Sequence, residues 1–176
     1  MSALTPPGRS SAVQYSPQEG LISAEALTQP QPQTALAYWQ AKRGARPMPA
    51  PGDIDPVEIP QLLPYITLIE VLHETPVDYR YRIEGEAMRA AIGFNRMGKR
   101  LSELKMRYDE GILEGVRTFY SVITAQKREQ LVRTVLRGIG RDFYTLEIAY
   151  LPLSEDGARV DRIFACGGFV QRPEDV

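Results

Sequence analysis

The amino-acid order predicts an α+β domain: a five-stranded antiparallel sheet with helices on one face, preceded by a helical extension. Two observations carry the prediction. The first is where proline falls. Eleven of the 14 prolines lie in residues 1–64, and only Pro76, Pro152 and Pro173 follow. Proline fixes φ and removes a backbone donor, so the first third of the chain holds no long regular sheet. The second is hydrophobic periodicity beyond Pro64. Two strand-like segments precede one long amphipathic helix and three follow it. Two strands before a helix and three after it do not read as repeating βαβ units, which points to an antiparallel sheet.

Each element has a local reason. Residues 1–33 are rich in Ser, Pro, Gln and Gly and have little to bury, so a disordered or weakly structured tail is expected. Within it, Gly20–Leu27 suits at most a single helical turn, and Gln29–Gln33 reads as a linker. A helix is predicted over Thr34–Arg43, with Thr34 as its N-cap and Gly44 ending it. Arg46–Pro51 reads as extended. Asp55 and Pro56 suit the cap and first position of another short helix. Tyr65–Val71 reads as a strand. Asp78–Glu84 alternates, with Tyr79, Tyr81 and Ile83 on one face and Arg80 and Arg82 on the other. Glu86–Ile92 reads as a short helix stopped by Gly93, and Leu101–Leu104 as a single turn.

The long helix is expected over Asp109–Lys127, with Asp109 as N-cap. Ile112, Val116, Phe119 and Ile123 share one face, widened by Leu113 and Tyr120. Strands follow over Gln130–Arg137, Phe143–Leu151 and Val160–Val170. Turns are expected at Gly138–Gly140 and Glu155–Gly157, and close packing or a bulge at Gly167–Gly168. The domain is placed at 34–172, with 173–176 as a tail.

Composition narrows the function. The 21 basic and 22 acidic residues leave a net charge of −1, so no nucleic-acid partner is expected. The most apolar stretch, Ile59–Leu72, is broken by Pro60, Pro64 and Glu70. No membrane span is therefore expected, and a cytoplasmic location is the expectation. One Cys and one His leave no Cys-based or multi-His metal site. Asp53, Asp55 and Glu58 lie close in sequence, but capping explains Asp55 without a cation. No nucleophile elbow accompanies His73, and Cys166 falls inside a strand, so no catalytic set is expected.

The segments Tyr38-Trp39, Lys42-Arg43-Gly44, Arg46-Pro47-Met48-Pro49, Asp53-Ile54-Asp55-Pro56, Glu58-Ile59-Pro60 and Leu62-Leu63-Pro64 form a long pattern. It resembles the opening of a bacterial family of stand-alone Per-Arnt-Sim (PAS) domain proteins. Tyr79-Arg80-Tyr81-Arg82, Gly85, Gly93 and Gly98 continue the pattern, and Leu151-Pro152-Leu153-Ser154 with Asp156-Gly157 resembles its closing hairpin. The chain departs from the family at Gly85-Glu86, where Gly-Thr is common, and at Asn95–Gly98, where Asp-x-Thr-Gly is common. The resemblance implies a PAS-like fold and a non-catalytic sensory or interaction role in signalling. The alternative is a small enzyme or ligand carrier using the same cavity. At this length no output domain is expected beside it, so a signal would leave by binding.

Candidate residues follow. Phe119, Tyr120, Phe143, Tyr144 and Phe164 are the aromatic set expected to line a cavity for a small-molecule ligand, or else to fill the core. Haem is not favoured, because His73 precedes the long helix. Flavin is not favoured, because Cys166 is on the last strand. Leu36 and Trp39 on the short helix, with Arg80 and Arg82 on the sheet, are the expected interface of a homodimer or of a signalling-protein partner; for Trp39 the equal alternative is that it seals one end of the core. Arg80, Arg82, Arg133, Arg137 and Arg141 suit a basic strip on the outer sheet face, or a solvated face paired with Glu84 and Glu147.

Overall fold

Beyond Pro64 the alternating segments become five antiparallel strands: β1 (Ile66–Leu72), β2 (Asp78–Glu84), β3 (Gln130–Leu136), β4 (Arg141–Leu153) and β5 (Arg162–Val170). They lie side by side in the order β2-β1-β5-β4-β3. The computed structural model describes residues 20–108, 110–136 and 141–170. The expected Asp109 cap, the Gly138–Gly140 turn and Arg137 lie outside the described residues. So do the side chains of Arg141, Phe143 and Tyr144.

Three helices pack on this sheet: α1 (Pro30–Arg43), α2 (Glu86–Ile92) and α3 (Glu110–Gln126). A 3-10 helix, Leu101–Met106, lies between α2 and α3. Strand parity separates the two faces. Gly167 of β5 looks toward Met88 of α2, whereas its neighbour Gly168 looks toward Gln29 and Pro32 beside α1. Thus α2 and α3 cover the inner face and α1 covers β4 and β5 from outside. The β4–β5 register runs unbroken through both glycines, so they serve close packing rather than a bulge.

The N-terminal part differs from the expectation. Helix α1 starts at Pro30, so the predicted Gln29–Gln33 linker is its entry and Thr34 is not its cap. Prolines fit there because first-turn N–H groups have no intrahelical partner. The missing cap comes from the sheet. Buried Glu147 of β4 accepts the Thr28 N–H at 2.7 Å, the Gln29 N–H at 2.8 Å and the Thr28 hydroxyl at 2.9 Å. Arg133 of β3 donates to the same carboxylate through Nε at 3.0 Å and Nη2 at 2.6 Å. The predicted helix after Asp55 is instead a turn, in which Asp55 accepts the Val57 N–H at 2.9 Å.

Helix α1 docks on its own sheet. Trp39 has no exposed surface, and its indole N–H donates to the Pro152 carbonyl at 2.8 Å. Leu36 is also buried. The expectation that these two residues form an interface is corrected: their apolar surface is spent inside the fold. The opening motif fastens the same helix. The Tyr38 hydroxyl donates to Glu58 at 2.6 Å, Lys42 pairs with Glu58 at 2.6 Å, and Arg46 pairs with Asp53 at 2.8 Å. Met48, Ile59 and Leu62 enter the core.

The strict alternation predicted for β2 breaks near its end. Leu68 of β1 pairs with Ile83, but Ile69 pairs with Tyr81, leaving Arg82 as an extra residue. This bulge reverses the parity beyond it. Tyr79 and Tyr81 are buried as expected, Ile83 is 45% exposed, and Glu84 turns into the inner face, 5% exposed. The expected basic strip is also divided. Arg80 and Arg82 share Glu70 at 3.6 and 3.8 Å on β1–β2, while Arg133 serves Glu147 toward the opposite edge of the sheet.

Two outcomes follow. Trp39→Ala is expected to cost about 3–5 kcal/mol in urea denaturation. For Glu147, burial works to raise the carboxyl, but Arg133, the Gln29 and Thr28 N–H groups and the Thr28 hydroxyl outweigh it and hold it below its usual value. Its contribution is therefore complete above the ordinary carboxylate range and is lost as pH falls through the lowered folded value. Glu147→Gln should destabilise by about 1–3 kcal/mol at pH 7. Denaturation at stepwise lower pH should show wild type and variant converging in acid.

Candidate functional site

Between the inner face and α2–α3 lies a cavity of about 70 Å³. Its floor comes from Thr67 and Ile69 of β1, Tyr81 of β2, Leu146, Ile148 and Tyr150 of β4, and Ala165 and Gly167 of β5. Its roof comes from Met88 and Ile92 of α2, Arg96, Tyr108, and Ile112, Val116, Phe119 and Tyr120 of α3. A Cβ at Gly167 would lie 2.8 Å from the Met88 sulfur, so any larger residue there would push the Met88 side chain aside. The aromatic rings interlock: Phe119 packs edge-on to Tyr150 at 5.0 Å, and Tyr120 edge-on to Tyr79 at 5.1 Å.

The polar groups gather at one end. The Arg96 guanidinium binds Glu84 through Nη2 and through Nε at 2.8 Å. It also lies over the Tyr81 ring, 4.2 Å from its centre. Its remaining nitrogen, Nη1, donates only a long contact to the Tyr108 hydroxyl at 3.5 Å. Burial opposes the Arg96 charge, but Tyr108, Tyr81 and Glu84 outweigh it and hold the guanidinium well above its ordinary value. The Tyr81 and Tyr120 hydroxyls are 3.2 Å apart. Burial pushes Tyr108 up to about 12 and holds Tyr120 well above the ordinary tyrosine value. Thr67 stands opposite Glu84 in the β1–β2 ladder, and its buried hydroxyl has no hydrogen-bond partner.

Phe119 and Tyr120 line the cavity as the sequence predicts. Phe164 does not: it pairs with Leu68 and Leu151 on the outer face, one residue out of phase with Ala165. Phe143 and Tyr144 have side chains outside the described set. Sequence reasoning missed Arg96, Thr67, Tyr81 and Tyr108 as lining groups. Tyr81 was legible as inward-facing from the alternation; Arg96 sits in a polar-looking loop and gave no signal.

The other reactive side chains lie elsewhere. His73 Nε2 donates to the Val160 carbonyl at 2.9 Å. Cys166 is on the outer face, and burial pushes its thiol up to about 12, far from the low value a nucleophile needs. Among the described residues no three His, Cys, Asp or Glu side chains are grouped to hold a metal ion. Asp53 and Glu58 are engaged by Arg46 and by Tyr38 and Lys42. Among the described residues no helix is long and apolar enough to cross a membrane.

The five-stranded antiparallel sheet with helices over its inner face is consistent with a family model described as PAS domain, which matches residues 27–167. The chain belongs to the PAS domain family. The search of curated proteins found no match. The matched span begins at Leu27, so the whole of α1 falls inside it, and so do both residues of the Glu84–Arg96 pair.

In this PAS domain that pair holds the polar end of the cavity. Glu84→Leu should cost about 3–5 kcal/mol, because it strands a buried guanidinium. The double variant Glu84→Leu/Arg96→Met should recover much of that loss. Chemical denaturation of the three proteins checks it; a double variant as unstable as the single one would contradict the assignment.

Proposed function

We propose that this PAS domain is a sensory module. Its cavity takes up a small molecule, and the signal leaves through binding to another protein. The observation that carries the reading is the largely apolar space between sheet and helices with polar groups converging on one end, Thr67 among them with its hydroxyl unmatched. Buried hydroxyls are ordinarily hydrogen-bonded, and an unmatched one costs about 1–3 kcal/mol. A bound molecule supplies the missing partner. The runner-up, a small enzyme or carrier, has less support for its enzyme half. The described lining offers phenols, one guanidinium and one threonine, but no thiol, imidazole or carboxylate for acid–base or nucleophilic work.

Size limits the ligand. About 70 Å³ is well under the roughly 300–1,000 Å³ of drug-sized pockets, so the cavity as it stands takes a few heavy atoms. Haem and flavin are too large for it without displacement of α3.

The test is native mass spectrometry of the purified protein beside Ala165→Leu, which fills the floor. A bound mass released on denaturation is expected for the wild type and not for the variant. The variant should remain folded, since overpacking costs about 1–3 kcal/mol. Both proteins appearing only at their bare polypeptide masses, with nothing taken up from an extract of the producing cells, would sink the reading.

A further inference from the structure

The chemistry at the polar end selects the kind of molecule. We infer that the cavity is built for a small neutral molecule with an apolar body and one carbonyl or hydroxyl group, not for a carboxylate. The inference rests on the sensory reading above and concerns which ligand satisfies it.

The charge balance of the lining disfavours an anion. Arg96 is the one charged side chain lining the cavity among the described residues. A lone lining arginine ordinarily suggests an anionic ligand. Here the charge is already matched from behind. Glu84, whose side chain is fully buried, takes Nε and Nη2 of Arg96 on one oxygen. A second carboxylate on Nη1 would leave one guanidinium between two carboxylates and a net negative charge beside a buried pair in a largely apolar lining. Burying an unmatched charge is costly, whereas a neutral acceptor on Nη1 adds no charge.

The hydrogen-bond balance favours a neutral oxygen. Nη1 has only the 3.5 Å contact to Tyr108, so it has donor capacity left. The Thr67 hydroxyl has no partner, with Thr67 itself 4% exposed. Thr67 faces Glu84 across the ladder, so the two unsaturated groups belong to the same end of the cavity. One oxygen has lone pairs for both donors. Away from that end, Ile69, Met88, Ile112, Val116 and Ile148 give the lining apolar surface that suits an apolar body.

The test titrates the full chain with three probes of nearly equal size: 2-butanone, 1-butanol and butyrate, which is ionised at pH 7. The readout is the amide NMR signals of Thr67 and Ala165. The neutral probes should bind saturably and at least about 10-fold more tightly than butyrate. Thr67→Val, which removes the hydroxyl and keeps the shape, should weaken 2-butanone by about 3- to 10-fold with the melting temperature essentially unchanged. Butyrate binding as tightly as 2-butanone, or Thr67→Val leaving 2-butanone unaffected, would overturn the neutral-ligand inference while leaving the sensory reading intact. No saturable response to any probe, together with no bound mass in the native spectra, would overturn both.

Discussion

One irregularity in a strand pair governs the site. Between Leu68 and Ile69 the β1–β2 register slips by one residue, so that Arg82 is left over. Without the slip, Glu84 would stand on the outer face, with Arg80 and Arg82. With it, a carboxylate is driven into the core, where it needs a cation and hydrogen bonds. Arg96 answers from the loop after α2, and that loop is fixed by what it reaches. Asn95 accepts the Met97 N–H at 3.0 Å, Gly98 turns at φ +79°, and the Gly98 N–H donates to the Tyr81 carbonyl at 2.7 Å along the free edge of β2. The bulge, the buried pair, the covered edge and the polar end of the cavity are therefore one arrangement.

The outer face repeats the logic with different parts. Glu147 is as deeply buried as Glu84 and is likewise matched by an arginine from another segment. What it secures is the entry to α1, whose first turn has prolines and no capping side chain of its own. Helix α1 is too short to be stable alone in water. Glu147 at one end, the Trp39 indole bond to Pro152 and the Tyr38–Glu58–Lys42 cluster hold it down along its length. Each buried carboxylate thus anchors a stretch of chain with weak local preferences, one on either side of the sheet.

Much of this was legible in the residues. The five strands and the α2 and α3 helices follow from periodicity, and Gly93 stops α2 at φ +88°, as its position implies. The inward stripe of α3 is read from Ile112, Phe119 and Ile123. Failures cluster where distant residues decide. Thr34 looked like a cap because Glu147, 113 positions onward, is not a local signal. Ile83 and Glu84 were placed on the wrong faces because a bulge leaves alternation intact in the sequence and reverses it in space. Phe164 was assigned to the cavity by residue type, whereas the parity of β5 puts Ala165 and Gly167 there. Trp39 lay between core and interface until its hydrogen bond to Pro152 placed it. Arg96 was invisible because a guanidinium in a loop of Asn, Met, Gly and Lys reads as solvated; only its buried partner, itself misplaced, marks it.

Glu84 locks Arg96 into the core, and side-chain nitrogen NMR of that guanidinium reads the lock itself. A guanidinium held by a buried carboxylate and stacked on Tyr81 should show one slowly exchanging Nε–H signal and separately resolved Nη protons. That set should be absent from Arg96→Lys and unaffected by substitution of the surface pairs of Arg46 or Arg80. Rapidly exchanging, averaged signals for every arginine would mean that Arg96 is solvated, and would contradict the arrangement from the bulge to the cavity.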